Sequence, residues 1–190
     1  MKIPSNINEK TAKQIVIDTK LDNYVRDNDA KSIEFDREDI EQIHNFGLEK
    51  YGGANGVIDE NLLNSVIVNP YEEFFGQTLY PTVFDKAAKY MFDFSNYQVF
   101  RDGNKRVGID TADEYLKANG YNLNMSFSEC YQVAMNIANH TYTEPSEISE
   151  ILQAHSVQND IGKSISADAD KTDNLEQDLQ EKETDEGKEV

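Results

Sequence analysis

Between residues 35 and 156 the apolar positions recur every three or four residues, the spacing that covers one face of a helix. The first predicted helix runs from a cap at Asp36 or Ser32 through Ile40, Ile43 and Gly47 to Tyr51, where Gly52-Gly53 stops it. The second covers Glu60 to Val68, with Leu62, Leu63, Val66 and Ile67 on its stripe, and ends before Asn69-Pro70. Val83 to Ser95 forms a third, offering Ala87, Ala88, Tyr90, Met91 and Phe94. A fourth starts within Asp102 to Arg106 and passes Val107, Ile109, Ala112, Tyr115 and Leu116 to a terminator at Asn119-Gly120. Ser126-Phe127-Ser128-Glu129 has the form of a capping box, so a fifth begins there and continues to about Asn139. The last covers Ser146 to His155, behind Thr143-Glu144-Pro145.

Tyr71 to Pro81 departs from this period: it is aromatic but not helical in spacing, and reads as a loop or a short hairpin. No internal repeat is evident. The expected fold is therefore all-α, a bundle of about six helices with a small β-hairpin or loop flap. Residues 1–34 read as an N-terminal extension, 35–156 as the domain and 157–190 as a tail.

Charge sharpens that division. The tail carries eleven Asp and Glu against four Lys, which is the composition of a disordered, solvated acidic segment or, alternatively, of an interaction arm. The whole chain has a net charge of -18, which disfavours nucleic acid as a partner unless basic residues are locally concentrated. A single cysteine, Cys130, excludes an internal disulfide, and three scattered histidines do not suggest a zinc site. No apolar run approaches the ~20 residues of a membrane span, and the N-terminus has no apolar signal segment. A soluble, cytoplasmic protein without membrane contact is expected.

The one local concentration of positive charge is Gln98-Val99-Phe100-Arg101-Asp102-Gly103-Asn104-Lys105-Arg106, at the junction of two predicted helices. A glycine at the turn lets the backbone approach a ligand, and the free amides and positive dipole end of the next helix favour an anion. Lys105 and Arg106 add charge there, and arginine grips phosphate oxygens in a forked geometry. Asp102 would repel a phosphate unless a cation lay between them, a conflict that magnesium removes. The alternative reading is an ordinary interhelical turn with a solvated basic end.

This run resembles the Fic/Doc (Fido) signature, His-x-Phe-x-(Asp/Glu)-(Gly/Ala)-Asn-(Gly/Lys)-Arg, in the death-on-curing branch that has Lys before Arg. Upstream, His44, Tyr51-Gly52-Gly53, Gly56 to Leu63, Asn69-Pro70, Tyr80-Pro81 and Lys86-Ala87-Ala88 resemble the family's approach to that motif, so residues 35 to 125 are covered. The resemblance implies a core anchor at Phe100, a metal- or phosphate-orienting carboxylate at Asp102, and an amide-rich anion hole at Gly103 and Asn104. It implies that Lys105 and Arg106 hold the phosphates of ATP, with Mg2+ as cofactor. Phe74, Phe75, Gly76, Gln77 and Thr78 would form a flap that pairs with an extended segment of a target protein; a packed aromatic loop is the alternative.

A toxin of a toxin-antitoxin module is further implied, with a small antitoxin protein in its groove and a protein target in the translation machinery. Its chemistry would be that of a protein kinase or an adenylyltransferase, moving a phosphoryl or AMP group to a hydroxyl. The departure lies at the first motif position, where Gln98 stands in place of histidine. A neutral amide has no usable basicity near pH 7, and positioned general bases contribute roughly 100- to 10,000-fold. The expectation is severely weakened transfer, the rival being an inactive module that acts by binding a nucleotide or protein. Tyr97, with an ordinary pKa of about 10, Asp93 and His44 offer no evident replacement base, and His140 and His155 are expected to face solvent. Ser146 to Glu150 comes nearest to the family's inhibitory segment, but Ile151 follows where Gly or Asn belongs, so self-inhibition is unsupported.

Overall fold

A computed structural model describes residues 32–160. The expectations for residues 1–31 and 161–190 lie outside the described residues. Among the described residues there are six α-helices: α1 (Arg37–Tyr51), α2 (Glu60–Val68), α3 (Val83–Asn96), α4 (Asn104–Ala118), α5 (Phe127–Ala138) and α6 (Pro145–Ala154). Their ends follow local chemistry. Asp36 caps α1 through the Asp39 amide, Asp59 caps α2, and reciprocal boxes of Thr82 with Asp85 and Ser126 with Glu129 open α3 and α5. Pro145 at the first turn of α6 gives up an amide that no helical carbonyl could take.

Helix α3 is the axis of the bundle, packed along α4 and α6 and against α5, while α1 lies on α4. Accordingly α3 is buried on nearly all sides of its second half, including Tyr90, Met91, Asp93, Phe94 and Ser95. The Asp93 carboxylate is fully buried but not alone: Lys89 Nζ and Asn69 Nδ2 each donate to it at 2.8 Å. That pairing satisfies a charge that burial would otherwise make costly. It ties the 3-10 turn Asn69–Tyr71 to α3. Burial also pushes the Cys130 thiol up to about 11, so it is a packing residue with little thiolate at neutral pH.

The aromatic segment after α2 is the hairpin alternative: β1 (Glu73–Phe74) pairs antiparallel with β2 (Gln77–Thr78). Phe75 and Gly76 form its two-residue turn with φ of 51° and 75°, the positive angles that such a tight hairpin requires. A second ladder was not anticipated. β3 (Tyr121–Leu123) pairs antiparallel with β4 (Ser156–Gln158) and closes the end of the domain behind α6.

Both expected domain boundaries fall inside the folded body. Val157 and Gln158 belong to β4, whose pairing partners are Asn122 and Tyr121. At the other end Ile33 is buried, and Asn119 clamps it: Ile33 N–H donates to Asn119 Oδ1 at 2.7 Å, and Asn119 Nδ2 donates to Ile33 O at 3.2 Å. Phe35 follows it into the core, edge-on to Tyr115. Backbone pairing and burial of an isolated apolar residue leave no helical period, so the helical pattern does not mark these ends.

Candidate functional site

The loop between α3 and α4 is held on three sides. From outside, the chain after α1 runs antiparallel to it: Ile58 N–H donates to Val99 O at 2.8 Å and Arg101 N–H to Gly56 O at 2.9 Å, around a bridge between Val57 and Phe100. In such a pair the central residue's own amide and carbonyl point the other way. There Asn104 takes both, with Phe100 N–H donating to Oδ1 at 2.8 Å and Nδ2 donating to Phe100 O at 2.7 Å. From below, the buried His44 ring of α1 stacks on Phe100 with centroids 3.9 Å apart. Its Nε2 lies 3.0 Å from Asp102 O, so it must carry the proton and donate. Burial pushes the His44 pKa below its ordinary value, which keeps the ring neutral in this role.

The loop then turns into α4 through Gly103, at φ 83°, a left-handed conformation that residues with a Cβ rarely adopt. The first-turn amides of Asn104, Lys105 and Arg106 have no partner within the helix, and no side chain caps them. The Asp102 carboxylate accepts the Gly103 N–H at 2.7 Å through one oxygen. Its other oxygen lies against Gly53, where a Cβ would stand 2.7 Å away, so this close approach requires glycine. Arg106 is half-buried, donates to Gly47 O at 3.1 Å and lies over the Tyr51 ring at 4.8 Å.

The loop opens onto a cavity of about 390 Å³, lined by Tyr51, Gln98, Arg101 through Arg106, and two aromatic residues of α5. The structure thus brings together Gln98, Asp102, Gly103, Asn104, Lys105 and Arg106. The side chain of Asn104 is a buried clamp of the loop, while its backbone amide lies in the uncapped first turn of α4. The flap residues Phe74, Phe75, Gly76, Gln77 and Thr78 are exposed and take no part in the cavity wall. Sequence reasoning missed Phe127 and Tyr131 as wall residues; the available signal was an aromatic pair four apart, off the face that buries Cys130, Val133, Ala134 and Ile137.

The orientation of Gln98 follows from its neighbour. Asn104 Oδ1 is fixed by the Phe100 amide, so the atom Asn104 turns to Gln98 is its NH2, and Gln98 must meet it with Oε1, at 3.2 Å. Gln98 is exposed and lines the cavity, and its NH2 is the group that Asn104 does not engage. Asp93 is no substitute base, since Lys89 and Asn69 occupy its two oxygens within the core.

Residues 34–116 match the profile of the Fic/DOC family. Over 89 residues the chain is 32% identical to Toxin Doc of Mycolicibacterium smegmatis, covering 47% of this chain and 68% of that protein. The chain belongs to the Fic/DOC family. The matched region runs from Glu34, beside the buried Ile33, through α4, so the whole scaffold of the loop is family structure. Phe127 and Tyr131 lie beyond it.

No three-residue cluster able to hold a metal exists among the described residues. Asp102 alone faces the cavity as a carboxylate, which fits magnesium only in the form the ion adopts with nucleotides, bridging one carboxylate and phosphate oxygens. No described helix is long and apolar enough to cross a membrane.

Proposed function

We propose that this chain is a Doc-like toxin of a toxin-antitoxin module that binds the phosphates of ATP at the start of α4 and transfers a phosphoryl or AMP group to a protein hydroxyl only weakly. The observation that carries it is the convergence of three first-turn amides, Lys105 and Arg106 on one cavity behind a left-handed glycine. Three cations and one carboxylate line that cavity in a protein of net charge -18, so the positive potential is local. Asp102 would hold magnesium against the phosphates, and the ion would neutralise charge as the group moves.

Gln98 sets the limit on the chemistry. Its oxygen is engaged by Asn104, which leaves its NH2 to orient an oxygen by donating, and a neutral amide accepts no proton. This specific geometry favours a second reading, in which the protein acts by occupancy, holding a nucleotide or a protein without turnover. A small antitoxin is the partner that the likeness to Toxin Doc supports, and the flap is a candidate surface for a protein target.

Calorimetry of ATP with magnesium tests the cradle: the full chain should bind, and Arg106→Ala should bind about tenfold more weakly or worse, as loss of a charged hydrogen-bond partner dictates. Equal affinities would remove Arg106 from the site. Gln98→His, compared with the natural chain on one preparation of target proteins and labelled ATP, should raise transfer by roughly 100-fold or more if a base is what is missing. Equal rates would show that the natural chain already has the base it needs.

A further inference from the structure

The Asp102–Gly103 peptide joins two fixed pieces of chain. On one side Arg101 N–H is bonded to Gly56 O, and on the other α4 begins at Asn104. The peptide itself can rotate through ψ of Asp102 and φ of Gly103. Gly103 stands at φ 83° and ψ 5°, the angles of the third residue of a type II turn. Half a rotation of the peptide gives the type I alternative, with φ of about -90° there. Glycine populates both signs of φ about equally, so Gly103 does not select between them. The selecting contact comes from α1. The His44 ring lies beneath the turn, 3.7 Å from where a Cβ of Gly103 would stand, and its Nε2 donates to Asp102 O at 3.0 Å. His44 is buried and off the cavity wall, whereas Asp102 and Gly103 line it. The carbonyl is thus held towards α1, and in a planar trans peptide the Gly103 N–H points the opposite way. There Asp102 Oδ1 accepts it at 2.7 Å. Rotation would exchange the two, setting a carbonyl oxygen beside the Asp102 carboxylate and turning the amide to His44.

We propose that His44 is a positioning residue of the site: by donating to the Asp102 carbonyl it selects the peptide orientation that gives the phosphates the Gly103 amide and keeps a carbonyl oxygen away from them. This rests on the reading of Gly103 to Arg106 as the phosphate cradle. His44 acts through the backbone and touches no ligand. Its stack on Phe100 is a separate contact, which any flat ring of that size could make, whereas the selection needs a donor at Nε2.

Two substitutions separate donor from ring. His44→Phe keeps the ring and removes the donor; His44→Gln keeps an amide donor at the reach of Nε2 and removes the ring. ATP and inorganic triphosphate, each with magnesium, are titrated into the full chain and both variants well above the ordinary His pKa of about 6.5. His44→Phe should weaken both ligands by about tenfold, as the loss of one hydrogen bond dictates. His44→Gln should stay within about threefold of the natural chain. The reverse order would make the stack the contact that matters and overturn the proposal, as would equal affinity in all three proteins or equal loss in both variants. If the natural chain and His44→Phe bind alike, the cradle stands and only the role of His44 is removed. If neither ligand binds the natural chain, the cradle fails and the proposal with it. Nitrogen-15 NMR of the natural chain supplies a readout that needs no substitution. The His44 ring should carry its proton on Nε2; a proton on Nδ1 alone leaves nothing to donate to Asp102 O and overturns the proposal.

Discussion

Asn104→Ala should destabilise the domain by about 2–6 kcal/mol, a large fraction of the roughly 5–15 kcal/mol that holds a domain folded. Asn104 is buried, and it is the partner of both the N–H and the C=O of Phe100, which is itself 1% exposed. Removing the amide leaves two buried backbone groups without a partner at about 1–3 kcal/mol each. No strand can replace it, because the neighbouring segment bonds Val99 and Arg101 and skips Phe100. Urea denaturation followed by circular dichroism gives the loss, and hydrogen exchange at the Phe100 amide localises it. Asn104→Asp is the discriminating control, since it keeps the acceptor but sets an anionic oxygen against Phe100 O and Gln98 Oε1; it should also destabilise. A loss below about 1 kcal/mol with the Phe100 amide still protected would refute the clamp and return Asn104 to ligand contact.

Two further outcomes follow from the same scaffold. His44 has a depressed pKa because its buried ring is favoured neutral, so the unfolded chain takes up its proton first as pH falls, and stability is lost on going down through the ordinary His value of about 6.5. The groups that act on it are Asp102, Arg106 and Glu41; His44→Gln should flatten the change in urea midpoint between pH 7.5 and 5.5, and an unchanged slope would place the sensitivity elsewhere. Gly108→Ala should cost about 1–3 kcal/mol, because its Cβ would stand 3.0 Å from Phe94 Cβ and 3.2 Å from Met91 O where α4 crosses α3. A melting temperature equal to that of the natural chain would show that the two helices can part at little cost.

Helix limits were legible because caps and period agree: Asp36, Ser126 with Glu129, and the glycines after Tyr51 and Asn119 each mark a terminus by local chemistry. The ladder of β3 with β4 was not, because three-residue strands more than thirty residues apart are paired by topology and not by local preference. The site was legible to the same depth. Gly103, Lys105 and Arg106 announce an anion hole through turn and charge. That Asn104 turns inward, that His44 lies beneath Phe100, and that Phe127 and Tyr131 form the far wall depend on which helices meet, and α1 and α5 lie more than twenty residues from the loop.

The substitution at the first motif position therefore separates two properties that share one loop. On the proposed reading, binding resides in the backbone amides of α4 and in its cations, of which Arg106 is held by Gly47 and Tyr51 rather than by residue 98. On the same reading proton removal is what the wall lacks, since Gln98 is a neutral amide and the one wall carboxylate, Asp102, is bound to the Gly103 amide through one oxygen and lies against Gly53 through the other. Glutamine there is not idle: it accepts from Asn104 Nδ2, so it contributes to holding the clamp on Phe100. Phosphoryl transfer is governed mostly by positioning and charge neutralisation, and both survive this change. On the proposed reading, a site so arranged keeps the groups that bind phosphate and lacks the factor that a positioned base supplies, so that transfer is weak while binding is retained.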